Sequence, residues 1–134
     1  MRKTLRHSEL TEVVLLDSIS EVKADDAGAV VVTGSHAGLN VVEYTLRYPL
    51  RAAFFNDAGV GKEDAGIASL TILQDRGIPA GAVAHTSARI GDASDTYANG
   101  VLSHVNQAAQ HLGISVGEKL ERAVARCFGT ATQQ

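Results

Sequence analysis

Ala29-Val30-Val31-Val32-Thr33 runs straight into Gly34-Ser35-His36-Ala37-Gly38. The first five residues are too uniformly apolar for a strand with one wet face and too few for a buried helix, so they read as a strand covered on both sides. The glycines and serine that follow would leave it by a tight turn. The same arrangement recurs at Glu12-Val13-Val14-Leu15-Leu16-Asp17, at Arg51-Ala52-Ala53-Phe54-Phe55-Asn56 and at Gly81-Ala82-Val83-Ala84-His85. Between these runs the hydrophobic period lengthens to that of a helix. A helix over 35–48 is expected from a Ser35 cap, a face of Ala37, Val41, Tyr44 and Tyr48, and the stop at Pro49. Others are expected over 61–76, halted by Gly77, and over 95–112, with Val101, Val105, Ala108 and Leu112 inward. A last one over 115–128 opens with the capping box Ser115-Val116-Gly117-Glu118.

Strands alternating with helices predict an α/β domain: a small three-layer sandwich, Rossmann-like or flavodoxin-like, with a mostly parallel sheet of four to five strands. The 134 residues suffice for one domain over 1–134, with a loose tail at 129–134 and His7 in a leading tail. Residues 18–28 fit a helical turn, a loop, or the turn of an antiparallel pair. Cys127 is the only cysteine, which rules out an internal disulfide, a zinc ribbon and an iron–sulfur cluster and suggests a reducing, cytoplasmic setting. Twelve basic residues against fifteen acidic ones are scattered along a chain of net charge −3, a poor match to nucleic acid. No apolar run is long enough to span a bilayer, and the polar residues after Met1-Arg2-Lys3 do not suit a signal peptide.

Chemistry concentrates where the strands end. In a parallel sheet these ends lie side by side, and ligands of open α/β sheets bind there. The residues expected to converge are Asp17 and Ser18; Gly34, Ser35, His36 and Ala37; Asn56 and Asp57; and His85, Ser87, Arg89 and Asp92. Gly34-Ser35-His36-Ala37-Gly38 at a strand-to-helix turn would offer free backbone N–H groups to a carboxylate or phosphate. Thr33-Gly34-Ser35-His36-Ala37 also resembles the nucleophile elbow of the α/β-hydrolases, with Ser35, Asp57 and His85 following successive strands in that superfamily's Ser, Asp, His order. Thr33 and Ala37 replace the elbow's glycines, and the chain is about half the expected length, so the likeness covers a turn and an order. Gly59-Val60-Gly61-Lys62 lacks the first glycine of a P-loop and carries Glu63 in place of its Ser or Thr, which argues against a nucleoside triphosphate. No H-x-x-x-H or H-E-x-x-H spacing supports a metal, and no cofactor is implied.

These residues suggest an enzyme acting on a small carboxylate- or amide-bearing metabolite, most simply by hydrolysis or a related acid–base cleavage. Ser35, His36, Asp57 and His85 are the expected catalytic residues. Gly34, Ala37, Asn56, Ser87, Arg89 and Asp92 are the expected substrate-binding residues, with the Arg89 guanidinium forked onto an anion. The competing readings are a noncatalytic module that senses a small anion, and a subunit whose site a partner chain completes. A homo-oligomer is expected, through Leu39, Val42 and Leu46 on the outer face of the helix over 35–48.

Overall fold

The computed structural model describes residues 1–8 and 11–129. Six strands form one sheet: β1 (Arg2–Ser8), β2 (Thr11–Leu16), β3 (Val30–His36), β4 (Ala52–Asn56), β5 (Ala80–Val83) and β6 (Leu102–Val105). They lie in sequence order across the sheet. The four inner strands β2 to β5 are parallel, and β1 and β6 pair antiparallel on the two edges. This is the expected mixed α/β domain, a sheet flanked by helices in the general manner of a Rossmann or flavodoxin sandwich, but with six strands rather than four or five. The unexpected pair is made of edge strands. The first is Arg2-Lys3-Thr4-Leu5-Arg6-His7-Ser8, so polar that it looks like a tail, and His7 lies within it.

Alternate side chains of the buried strands feed two cores. Val14, Leu16, Val31, Ala53, Phe55 and Ala82 meet the segments that cross between parallel strands, through Ile19, Val22, Val41, Leu70 and Leu73. On the other face Val13, Leu15, Val30, Val32, Phe54 and Val83 meet Ala93, Ile114, Leu120, Val124 and Cys127. All three parallel crossovers therefore share one face, as a sheet in sequence order with crossovers of uniform hand requires. The strand order never reverses. The crevice that a reversal opens in doubly wound sheets is absent from this topology, and the loops alone must shape a site.

The helices are α1 (Val42–Thr45), α2 (Ser69–Asp75), α3 (Ala93–Asn99), α4 (Gln107–Gln110) and α5 (Leu120–Gly129). The helix expected over 35–48 is reduced to a 3-10 turn at Leu39–Val41 running into α1, because the chain stays extended through His36, which pairs with Asn56. Ser35 caps no helix. Its Oγ accepts the N–H of Ile19 at 3.0 Å. The helix expected over 95–112 is broken into α3, β6 and α4. The helix expected over 61–76 begins only at Ser69, after an irregular 3-10 stretch at Lys62–Ile67. Residues 18–28 form two 3-10 turns, Ile19–Glu21 and Ala24–Asp26. The second is tied down by Asp26, whose buried carboxylate accepts the Lys23 N–H at 2.9 Å and the Arg2 guanidinium at 2.5 Å. Gly129 closes α5, and the rest of the expected loose tail lies outside the described residues. Among the expected interface residues Leu39 is exposed, while Val42 and Leu46 are half-buried. No helix among the described residues is long and apolar enough to cross a membrane.

Candidate active site at the carboxyl ends of the parallel strands

The end of β3 and the loop after β5 meet. Gly91 donates its N–H to the Gly34 carbonyl at 2.8 Å, and a Cβ on Gly34 would lie 2.4 Å from the Asp92 nitrogen. Only glycine lets the two backbones touch. At the same place β3 bulges against β4: four steps from Val32 to His36 match two from Phe54 to Asn56. The bulge turns Ser35 toward the Ile19 turn.

That geometry removes the expected anion cradle. The N–H of Ser35 is held by Thr33 Oγ1 at 3.1 Å, that of Ala37 by the Gly66 carbonyl at 3.0 Å, and that of Gly38 by His36 Nδ1 at 2.9 Å. Because His36 Nδ1 accepts, the neutral ring carries its proton on Nε2. His36 borders a cavity of about 490 Å³ shared with Leu39, Asn40, Lys62, Glu63 and Ala68.

Several other expected binding residues brace the backbone. Asn56 is fully buried, its amide donating to the Ala88 carbonyl at 3.0 Å and its Oδ1 accepting from Ala58 at 2.8 Å. Ser87 Oγ donates to the Ala84 carbonyl at 2.7 Å and accepts from Val101 at 2.9 Å. Asp92 caps α3 by accepting the Asp95 N–H at 2.9 Å. Arg89 is different: its backbone N–H binds Asp95 at 2.7 Å, while its exposed guanidinium makes no hydrogen bond among the described residues and acts on the Asp95 carboxylate through charge alone, helping to hold that carboxyl below the ordinary aspartate value.

A polar cluster with an exposed histidine is built around Asp57, which follows β4. Its side chain is 6% exposed. Oδ1 accepts the N–H of Gly59 at 2.8 Å and of His85 at 3.0 Å, and Oδ2 accepts the Ser103 hydroxyl at 2.7 Å. The His85 ring presents Nδ1 to Oδ1 at 3.4 Å and is itself 56% exposed. Burial pushes the Asp57 carboxyl upward in pKa, but the Ser103 hydroxyl, the two N–H groups and the His85 charge outweigh it and hold the group below the ordinary aspartate value. The result is an ionised carboxylate under an exposed imidazole. The ring rests against Gly59, where a Cβ would lie 3.6 Å from it.

The chain between Asp57 and Gly66 is strained. Ala58, Val60, Glu63 and Asp64 all have positive φ, with Val60 at 67°. A β-branched residue rarely takes that conformation. Short bonds hold the loop, from Val60 N to the Asp57 carbonyl and from Gly66 N to the Val60 carbonyl, both 2.6 Å. A Cβ on Gly66 would lie 2.4 Å from the Asp57 carbonyl oxygen.

Ser103 and His104 were not among the expected site residues. Both sit on β6, inside the run that reads as a helix over 95–112. The available signal was Asn99-Gly100, a turn pair ahead of Val101-Leu102. Ser35 lies in β3 and His85 follows β5, strands two places apart and about 10 Å across the sheet, so the elbow-like Ser, Asp, His order does not bring that serine and histidine into hydrogen-bonding contact. Among the described residues no three His, Cys, Asp or Glu side chains are grouped to hold a metal ion. No family model, curated protein or solved structure matches the chain, so this site must be read from its own side chains.

Proposed function

We propose that the chain is an enzyme that hydrolyses, or cleaves by related acid–base chemistry, a small carboxylate- or amide-bearing metabolite at the carboxyl edge of its sheet. One observation carries the reading: a buried, ionised Asp57 lies 3.4 Å from Nδ1 of an exposed His85. A carboxylate behind an imidazole fixes its tautomer and steadies the imidazolium formed when the other nitrogen takes a proton. His85 Nε2, on the side away from Asp57, is the base. It removes a proton from water as the water oxygen bonds to the substrate's carbonyl carbon, and returns that proton to the departing amine or alkoxide as the old bond breaks. Arg89, four residues along the same loop, anchors the substrate's anionic end with its exposed guanidinium. The proposal makes water the nucleophile. Ser35 Oγ accepts from Ile19 and keeps its own proton to offer to a ligand.

The test is to incubate the protein with a pool of small carboxylates and amides and follow each component by NMR. At least one component should disappear with the wild type and persist with His85→Gln. Components that bind without being consumed by the wild type would replace the enzyme with an anion sensor.

A further inference from the structure

We infer that His104 is a positioning residue for the Asp57–His85 pair and acts on it through Ser103; the inference rests on the proposed role of that pair. The argument is a count of protons. Ser103 Oγ has three polar neighbours: Asp57 Oδ2 at 2.7 Å, His104 Nδ1 at 3.0 Å and the Ala82 carbonyl at 3.3 Å. A hydroxyl has one proton to give. The carboxylate and the carbonyl can only accept, so His104 is the one neighbour able to donate to Ser103. The nearest and only charged acceptor, Asp57 Oδ2, takes the hydroxyl proton. His104 therefore carries its proton on Nδ1 and directs it at the Ser103 oxygen.

The opposite tautomer has a definite consequence. With the proton on Nε2, the His104 Nδ1 lone pair competes for the single Ser103 proton, and Asp57 Oδ2 loses its hydroxyl donor. Oδ2 is the oxygen on the side away from His85. Clamping it keeps the carboxylate from turning about its Cβ–Cγ bond, and Oδ1 stays beneath the imidazole where Gly59 and His85 N–H groups already hold it. His104 and Ser103 thus donate in series from β6 into Oδ2 of Asp57, whose Oδ1 faces His85, and the position of one imidazole proton decides whether Oδ2 keeps its donor.

The surroundings of His104 leave that choice to Ser103. Its ring is half-exposed and borders a cavity of about 270 Å³. The polar side chains lining it are Thr71 and Gln74 of α2, Gln107 of α4 and Asn106, none charged, and the Asn106 amide is taken up by the backbone of Ala80, Ala109, Leu70 and Ile78. Gln74 Oε1 is occupied by the Ala108 N–H at 2.7 Å. Among the described residues no carboxylate faces the ring to fix its tautomer from the other side.

Nitrogen-15 NMR of histidine-labelled protein reads the tautomer directly, and carbon-13 NMR of the Asp57 carboxyl reads what the chain does to the pair. Neutral His104 should show the Nδ1–H form, and Ser103→Ala should release it toward Nε2–H. Ser103→Ala should also raise the Asp57 titration midpoint by about one pH unit, the loss of one hydrogen bond to a charged acceptor. His104→Leu should raise the midpoint by a fraction of that. His104→Asn, whose amide nitrogen stands where Nδ1 was, should restore it. A wild-type ring in the Nε2–H form, or an Asp57 titration unmoved by His104→Leu, overturns the inference. These readings need no substrate. If they hold while no metabolite is consumed, the positioning chain stands and the catalytic role of His85 falls.

Discussion

Asp57→Asn and Asp57→Ala separate what the carboxylate does by charge from what it does by shape. The native group accepts three hydrogen bonds, each worth about 1.5–3 kcal/mol to a charged acceptor. Gly59 and His85 are exposed, so water can satisfy their N–H groups after truncation, and the low end of the range applies. Asp57→Ala should therefore cost about 4–5 kcal/mol at neutral pH. Asparagine can keep its oxygen toward the two N–H groups while Ser103 turns to the Ala82 carbonyl, so Asp57→Asn should cost about half as much. The pH dependence fixes the sign. The folded state lowers the Asp57 pKa, so its contribution is complete above the unfolded value of about 4 and is lost as pH falls through the folded value. Urea denaturation followed by circular dichroism should show the wild type more stable than Asp57→Asn at pH 7, with the gap closing toward pH 3. Equal stability at pH 7, or a gap that does not change with pH, would refute the reasoning that Asp57 is a clamped, ionised carboxylate.

Gly66→Ala should destabilise the fold by about 1–3 kcal/mol and abolish any turnover, because the new methyl must push the strained loop off the Asp57 carbonyl; an unchanged melting temperature would show that the loop moves freely. Arg89→Lys should weaken binding of a carboxylate substrate by about 1.5–3 kcal/mol and leave thermal stability unaltered, whereas a large loss of stability would make Arg89 a brace for Asp95. Burial pushes the Cys127 thiol up to about 12, so a thiol reagent at pH 8 should label it only after unfolding in urea. Rapid labelling of the folded protein would place Cys127 nearer the surface than its 5% exposure.

The parts of the fold that the sequence makes legible are those where one force dominates. Val30-Val31-Val32 and Ala52-Ala53-Phe54-Phe55 are buried on both faces, and nothing in their composition competes with a central strand. The edges are harder, because an edge strand is half solvated and its composition follows the solvent. In β1 the described half-buried Leu5 packs on the core, and Arg2 is held by Asp26, a contact 24 residues away that no local pattern announces. In the stretch 101–112 the spacing of Val101, Val105, Ala108 and Leu112 mimics a helical stripe, but the backbone of 102–105 is claimed by β5. Misreading that stretch hides half of the site. Asp57 and His85 stand out as polar residues at strand ends, whereas Ser103 and His104 gain their meaning only from pairing beside β5. Asn56, Ser87 and Asp92 attract notice for the same reason as Asp57, yet their side chains are engaged in holding loops. Only the full set of hydrogen bonds separates a brace from a reactive group.

The uninterrupted strand order also bears on how the molecule assembles. Every strand pairs with its neighbours in the chain, so each addition closes only the connection just completed, and the sheet can grow strand by strand. Growth in that order brings β6 last. Until it arrives, the β5 edge that leads to His85 is open, Asp57 lacks its Ser103 donor, and Ser103 and His104 have nothing to face. Docking the final strand covers that edge and sets the last hydrogen bond of the carboxylate in one event, so a molecule that falls short of complete folding is also one in which the donors to Asp57 are incomplete.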